Sequence, residues 1–222
     1  MKKGTRRNRP AGARREYPAG RKPRPAGFSY FVLYKPDGVL TQFTPVEGKE
    51  TLAGFGPFPG DVYPVGRLDE DSEGVLLLTN DGMLHHRLGE PRYQHTRTYL
   101  VQVEREPSAD ALSALRAGIL IGGVRTLPAD VRLLPSEPDI GPKRTPVRFR
   151  KTIPTSWLEV TLREGKNRQL RRMTAATGHP ALRVVRISLG PVTLDGLRPG
   201  EARSLTKTEI RVLRESAGLQ RS

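Results

Sequence analysis

The chain of 222 residues has no cysteine, which excludes disulfides, thiolate metal sites and a cysteine nucleophile and fits a reducing compartment. Its four histidines, His85, His86, His95 and His179, show no metal-ligand spacing, so no metal and no other cofactor is expected. Aromatic residues make up only 6%, with a single Trp. No apolar run approaches the roughly 20 residues of a membrane span, and the basic amino terminus leads into no apolar signal stretch. A cytoplasmic protein without membrane attachment is the expectation. A nucleotide-binding P-loop is missing too, because Gly165-Lys166 has neither the upstream Gly nor the following Ser or Thr. Acids are the last shortage: 23 Asp and Glu face 38 Lys and Arg, a net charge of +15, which points to a polyanionic partner whose phosphates exchange counterions for Lys and Arg.

The charge is uneven. Residues 1 to 27 hold ten Lys or Arg against one Glu, with four Pro and four Gly. They lack the apolar residues to fold alone and read as a disordered basic tail that attracts phosphates, or as a merely solubilising arm. The chain as a whole is 36% hydrophobic, and residues 28 to 205 have the length for one sizeable core. From Thr206 to the end the pattern suggests a short helix and a basic tail.

Within the folded part, Phe28 to Tyr34 is a β-branched and aromatic strand stopped by Pro36-Asp37-Gly38. Thr96 to Glu104 alternates, placing Tyr99, Val101 and Val103 on one face. Ser108 to Ala117 reads as a helix with Ser108 as N-cap and Gly118 after its end. Val131 to Leu134 is a short strand, Pro135 to Pro146 an exposed loop whose Lys143 and Arg144 are candidates for phosphate contact, and Trp157 to Arg163 a second alternating strand. Asn167 is a plausible N-cap for a helix ended by Gly178 and Pro180, with Leu170, Met173, Thr174 and Thr177 inward and Arg168, Arg171 and Arg172 on an adjacent face. Three Arg with no acid among them repel one another unless they meet anions. Leu182 to Ser188 is a further strand.

The stretch around which the rest is organised is Gly66 to Gly82, GRLDEDSEGVLLLTNDG. Val75 to Leu78 reads as a strand covered on both faces, and the acids just before it are fixed at its edge. Asp69, Asp71, Glu73 and Gly74 imitate half of a calcium loop, but Asn80 stands where the bidentate Glu is needed. An ordinary polar surface loop is the other plain reading.

GRLDEDSEGVLLLTNDG resembles the central motif of the RsuA-type pseudouridine synthases, with YKPDGVL, RTYLV and EGKNRQLRRM matching three further family motifs in order. The resemblance covers residues 28 to 205 and is closest to the RluE branch, although the usual S4-like RNA-binding domain has no counterpart in residues 1 to 27. It implies an α/β (α+β) fold with a mostly antiparallel central sheet in two lobes, flanking helices and a basic cleft. It implies Asp69 as the catalytic carboxylate, Tyr99 stacked on the target base, and Arg171 paired with Asp69. Arg67, Lys35, Lys166, Arg168 and Arg172 become candidates for RNA contact, and Leu182 or Leu189 for the apolar contact under the base. The implied reaction isomerises a uridine of large-subunit 23S ribosomal RNA, free or in an assembly intermediate, near the peptidyl transferase centre, by a monomer. Asp69 would act as nucleophile or as base at C2′. A noncatalytic RNA-binding assembly factor would share the basic tail and the Arg helix, but binding alone does not require Asp69, Tyr99 and Arg171 together. A glycosidase would need a second acid in matching context.

Overall fold

The computed structural model describes residues 27–146 and 153–219, so the expected basic tail, apart from Gly27, lies outside the described residues. The first strand, β1 (Tyr30–Lys35), starts only where both faces are covered; Phe28, assigned to it from sequence, is exposed. Beyond the Gly38 turn come the short paired strands β2 (Val39–Leu40) and β3 (Glu50–Thr51), then β4 (Tyr63–Pro64) and β5 (Glu73–Thr79). Every residue of β5 is buried, as its uninterrupted apolar run requires. Asp81 caps helix α1 (Gly82–Gly89) by accepting from the Leu84 N–H, and β6 (Arg97–Glu104) follows.

Helix α2 (Ala109–Ala117) is capped by Ser108 and ends at Gly118, whose φ of +91° suits a residue without Cβ. The hairpin β7 (Leu120–Ile121) and β8 (Val124–Arg125) turns on Gly122-Gly123, and β9 (Asp130–Leu133), β10 (Thr155–Leu162) and helix α3 (Gln169–Ala176) complete this half. The chain then returns through β11 (Ala181–Leu189), β12 (Val192–Thr193), β13 (Ala202–Ser204) and helix α4 (Lys207–Ser216).

The main sheet has nine strands, with order β13-β1-β5-β11-β6-β10-β9 and β4 and β12 on its flank. Its pairings are antiparallel except for β5 beside β11. This parallel contact is the seam between two halves. On one side, β1 and β5 are sandwiched between a core with Leu84, Leu88 and Leu213 and another with Leu52, Val62 and Leu68. On the other, Val101, Leu158, Val160 and Val184 pack under α2 and α3 through Leu115 and Met173. Each such aliphatic side chain contributes about 1.5–3 kcal/mol on burial.

At the seam the backbones nearly touch. A Cβ on Gly74, whose φ is +110°, would lie 2.1 Å from the Arg186 carbonyl oxygen, so neither the space nor the conformation admits a side chain. Two local expectations need correction. Arg168, not Asn167, is the N-cap of α3; it is left-handed (φ +48°) with no side-chain cap, so the helix starts later than its pattern suggests. The division drawn at residue 205 is not a division in packing, because α4 buries Leu213 and Ala217 in the same core as β1 and β5 and Arg214 pairs with buried Asp81.

Candidate active site

The Gly66 to Ser72 loop is held by its backbone. Leu68 is buried, its carbonyl accepts from Thr41 Oγ1 at 2.6 Å, and Gly38 N–H donates to the Glu70 carbonyl at 2.8 Å. Lys35 does the most: its ammonium donates to the carbonyls of Pro36 at 2.9 Å, Glu70 at 3.3 Å and Ser72 at 2.8 Å. It is wholly buried and so cannot touch RNA as expected from sequence; it pins the loop instead. Burial pushes its pKa down to about 8, with Asp37 and Glu73 opposing.

That shift has a measurable sign. Between about pH 8 and the ordinary lysine value of 10.5, the unfolded chain holds a proton that the folded chain has released, so stability rises with pH. The gain, at most about 3 kcal/mol, should vanish in Lys35→Met. Melts from about pH 7 to 9.5 check it, below the range where Tyr30 and Tyr34, both pushed up to about 12 by burial, add the opposite slope. Parallel curves for the two proteins would rule the effect out.

The loop's three acids have different fates. Glu70 pairs with Lys49 at 2.7 Å on the surface. Asp71 is gripped by both Arg168 nitrogens, at 3.0 and 2.9 Å, and by Arg171 at 3.3 Å. Burial would raise its pKa, but Arg168 and Arg171 hold it below the usual carboxylate value. Asp69 is the acid of this trio that lines the cleft. Its side chain is 33% exposed, and its ion-pair contact is Arg168 at 3.8 Å. The expected direct pair of Asp69 with Arg171 is therefore corrected: Arg171 is anchored to Asp71, through carboxylate and carbonyl, and to the Ala181 carbonyl at 3.1 Å. It still feels the Asp69 charge.

The cleft encloses about 390 Å³ at the seam of the sheet, in the range of small-molecule sites. The cleft is lined by Arg67, Leu68 and Asp69, by Tyr99, by Lys166 and Arg168 from the segment entering α3, and by Arg171 of α3 itself. A second acid, Glu164, is present but occupied. It pairs with Lys166, accepts from Gln169 at 2.8 Å and from Leu127 N–H at 2.9 Å, and these contacts overcome burial to keep its pKa low. An acid held ionised in this way is unsuited to donate a proton, which removes the paired-carboxylate reading.

Several sequence candidates lie elsewhere. Leu189 is 1% exposed in the core with Val32 and Leu77, and Leu182 is not in the cleft wall; Leu68, Leu162, Leu170 and Val184 supply its apolar surface. Arg172 is exposed but reaches over Gly122 of the β7–β8 hairpin. Lys143 and Arg144 are paired with Asp37 and Glu50. Arg97 and Arg186, which line the cleft, were missed. Arg97 was detectable, being two residues before Tyr99 and so on the same face of β6. Arg186 becomes the neighbour of Tyr99 only through pairing of β11 with β6, which has no local signal. Among the described residues no cluster of His, Cys, Asp or Glu could hold a metal ion, and no helix is long and apolar enough to cross a membrane.

Comparison with known proteins agrees with this architecture. Residues 29–176 match the family model described as RNA pseudouridylate synthase. The chain is 51% identical over 182 residues to the ribosomal large subunit pseudouridine synthase E of Xanthomonas axonopodis pv. citri, covering 81% of this chain and 95% of that protein. It is 47% identical over 175 residues to the protein of the same name from Vibrio vulnificus, covering 79% and 74%. A crystal structure of a pseudouridylate synthase superposes with a TM-score of 0.70 at 32% identity, over 84% of this chain and 74% of that one.

Proposed function

The chain belongs to the RNA pseudouridylate synthase family, and from that premise we propose that it isomerises a uridine of large-subunit ribosomal RNA to pseudouridine with Asp69 as the reacting carboxylate. The observation that carries the assignment within the loop is the contrast among its acids: Glu70 and Asp71 are spent on Lys49, Arg168 and Arg171, while Asp69 borders the cleft. The reaction breaks the bond from C1′ to N1, turns the uracil and joins C5 to C1′. It needs a flipped base, a surface to stack it on and an ionised carboxylate at the sugar.

Tyr99 is the stacking surface in this reading, with Leu162 and Val184 beside it. Arg67, exposed at the rim, enters the gap left by the base. Arg168 stands 3.8 Å from Asp69, and Arg171 sets the position of the loop through Asp71. Asp69 then attacks C1′ or takes the proton from C2′. The large-subunit target is supported by the similarity to the large-subunit enzymes, and the 23S site near the peptidyl transferase centre by the resemblance of the motifs to the RluE branch. Free RNA and an assembly intermediate are both compatible substrates. A ribosomal substrate supports work in the cytoplasm, and a monomer is the working unit in this reading.

The test is to map pseudouridine across ribosomal RNA from a deletion strain and to restore the purified protein. One large-subunit site should disappear and return. An unchanged map, with no pseudouridine formed in vitro, would refute the assignment.

A further inference from the structure

Two guanidinium groups in the cleft wall have no acid opposite them. Arg186 is 2% exposed; its Nε donates to the Val75 carbonyl at 2.8 Å, while its Nη2 is sealed from solvent and has no hydrogen-bond partner among the described residues. Beside it, Arg97 donates to the carbonyls of His95 at 3.3 Å and Leu88 at 2.9 Å. Neither Arg forms an ion pair among the described residues, and the charge that Arg97 feels from Arg186 is a like one. Both side chains line the cleft, and a guanidinium offers donors only, so a group that meets this wall favourably brings an oxygen acceptor or negative charge. Arg186 is the register partner of Tyr99 across β11 and β6, which places the two side chains next to each other on one face.

We propose that Arg186 reads the uracil ring, its guanidinium donating at the cleft wall to a carbonyl oxygen of the base that rests on Tyr99 and stabilising the negative charge on the detached ring. This deepens, and rests on, the reading of the cleft as a uridine-isomerising site. When the bond from C1′ to N1 breaks, its electron pair leaves with the ring, which becomes an anion shared between N1 and the two carbonyl oxygens. When C5 bonds to C1′, the C5 hydrogen departs as a proton and N1 gains one, so the atoms balance.

The symmetry of the ring suits a fixed donor. Turning uracil about its N3–C6 axis exchanges N1 with C5 and, with them, O2 with O4. A donor held at one carbonyl position therefore meets an acceptor before and after the turn. Cytosine, with an amino group at C4, would oppose donor to donor in one of those positions, which a buried site rejects strongly.

The experiment uses the full chain and a ribosomal RNA fragment that it modifies, under single-turnover conditions. Arg186→Gln should fold and bind the RNA within about threefold of the natural chain, yet react about 100-fold more slowly, the usual cost of a lost oxyanion donor. With 5-fluorouridine at the target, whose ring anion is intrinsically more stable, loss of the starting nucleoside should show a deficit at least about tenfold smaller. A merely structural Arg186 would slow both substrates equally. Should the Gln variant fail to fold, Arg186→Lys, which keeps the charge without the planar fork, takes its place with the same expected narrowing. Equal deficits on the two substrates, or a folded variant within about threefold of normal rate, overturn the proposal. If the natural chain itself makes no pseudouridine, the functional reading fails and takes this one with it.

Discussion

Asp69→Asn should fold, melt and bind ribosomal RNA as the natural chain does, and form essentially no pseudouridine. The substitution keeps the shape of the side chain and removes only its charge. That charge contributes little to stability, because the carboxylate is one third exposed and its ion-pair contact is Arg168 at 3.8 Å; such pairs are worth about 0–1 kcal/mol. Arg168 also keeps its two bonds to Asp71, so the loop does not lose its anchor. The chemistry, in contrast, has no substitute: an amide neither attacks C1′ nor removes a proton from C2′, and losing a central catalytic carboxylate costs on the order of 10⁴-fold. Single-turnover assays beside thermal melts separate the two effects. Turnover within tenfold of the natural chain would move the role to another group, and a large drop in melting temperature would make Asp69 a structural residue.

The largest loss of stability should come from Glu73→Gln. Glu73 and Arg183 form a two-toothed pair, with Nε and Nη2 each 2.9 Å from a carboxylate oxygen and side chains only 1% and 5% exposed. The pair sits at the junction of β5 and β11, and Arg183 also donates to the Gly141 carbonyl at 2.9 Å. Removing the carboxylate leaves a buried guanidinium without its counter-charge, a loss of about 3–5 kcal/mol. Replacing both residues by Met removes both charges at once, and well-packed apolar replacements of buried pairs are often neutral or stabilising. The double variant should therefore be more stable than Glu73→Gln alone, a non-additivity that urea unfolding measures directly. Losses that simply add would show that the two charges do not depend on each other.

The strands and helices were legible because their signals are local. The run Val75 to Leu78 announced a strand covered on both faces, the alternation through Tyr99 gave its face, and Ser108 and Gly118 bounded α2. Asp69 was singled out by the motif around it, and the structure adds why its neighbours are not interchangeable with it. What could not be read is what depends on pairing between distant segments. Arg171 meets Asp71, not Asp69, because the left-handed Arg168 sets where α3 begins. Lys35 looked like a cleft cation and is a buried clasp, since nothing local reveals that three carbonyls converge on it. Leu189 looked like a base contact, but it lies beyond the irregularity between Arg186 and Ser188 in β11 and packs in the core.

The sheet order also dictates when the molecule can become whole. In the order β13-β1-β5-β11, the two strands synthesised first stand together in the middle, and the strands that flank them, β13 and β11, come from the last third of the chain, β4 covering only the Thr79 end of β5 beforehand. A ribosome that has made residues 30 to 180 has made β1 and β5 with every apolar side chain in place, yet β1 still lacks β13 and β5 still lacks its partner at Glu73 and Gly74, leaving backbone N–H and C=O groups unpaired there. The parallel partner arrives more than 100 residues after β5, and closing so long a loop makes assembly late and slow. The cleft therefore forms at the end of folding, once β11 docks against Gly74, so the nascent chain is sticky before it is active.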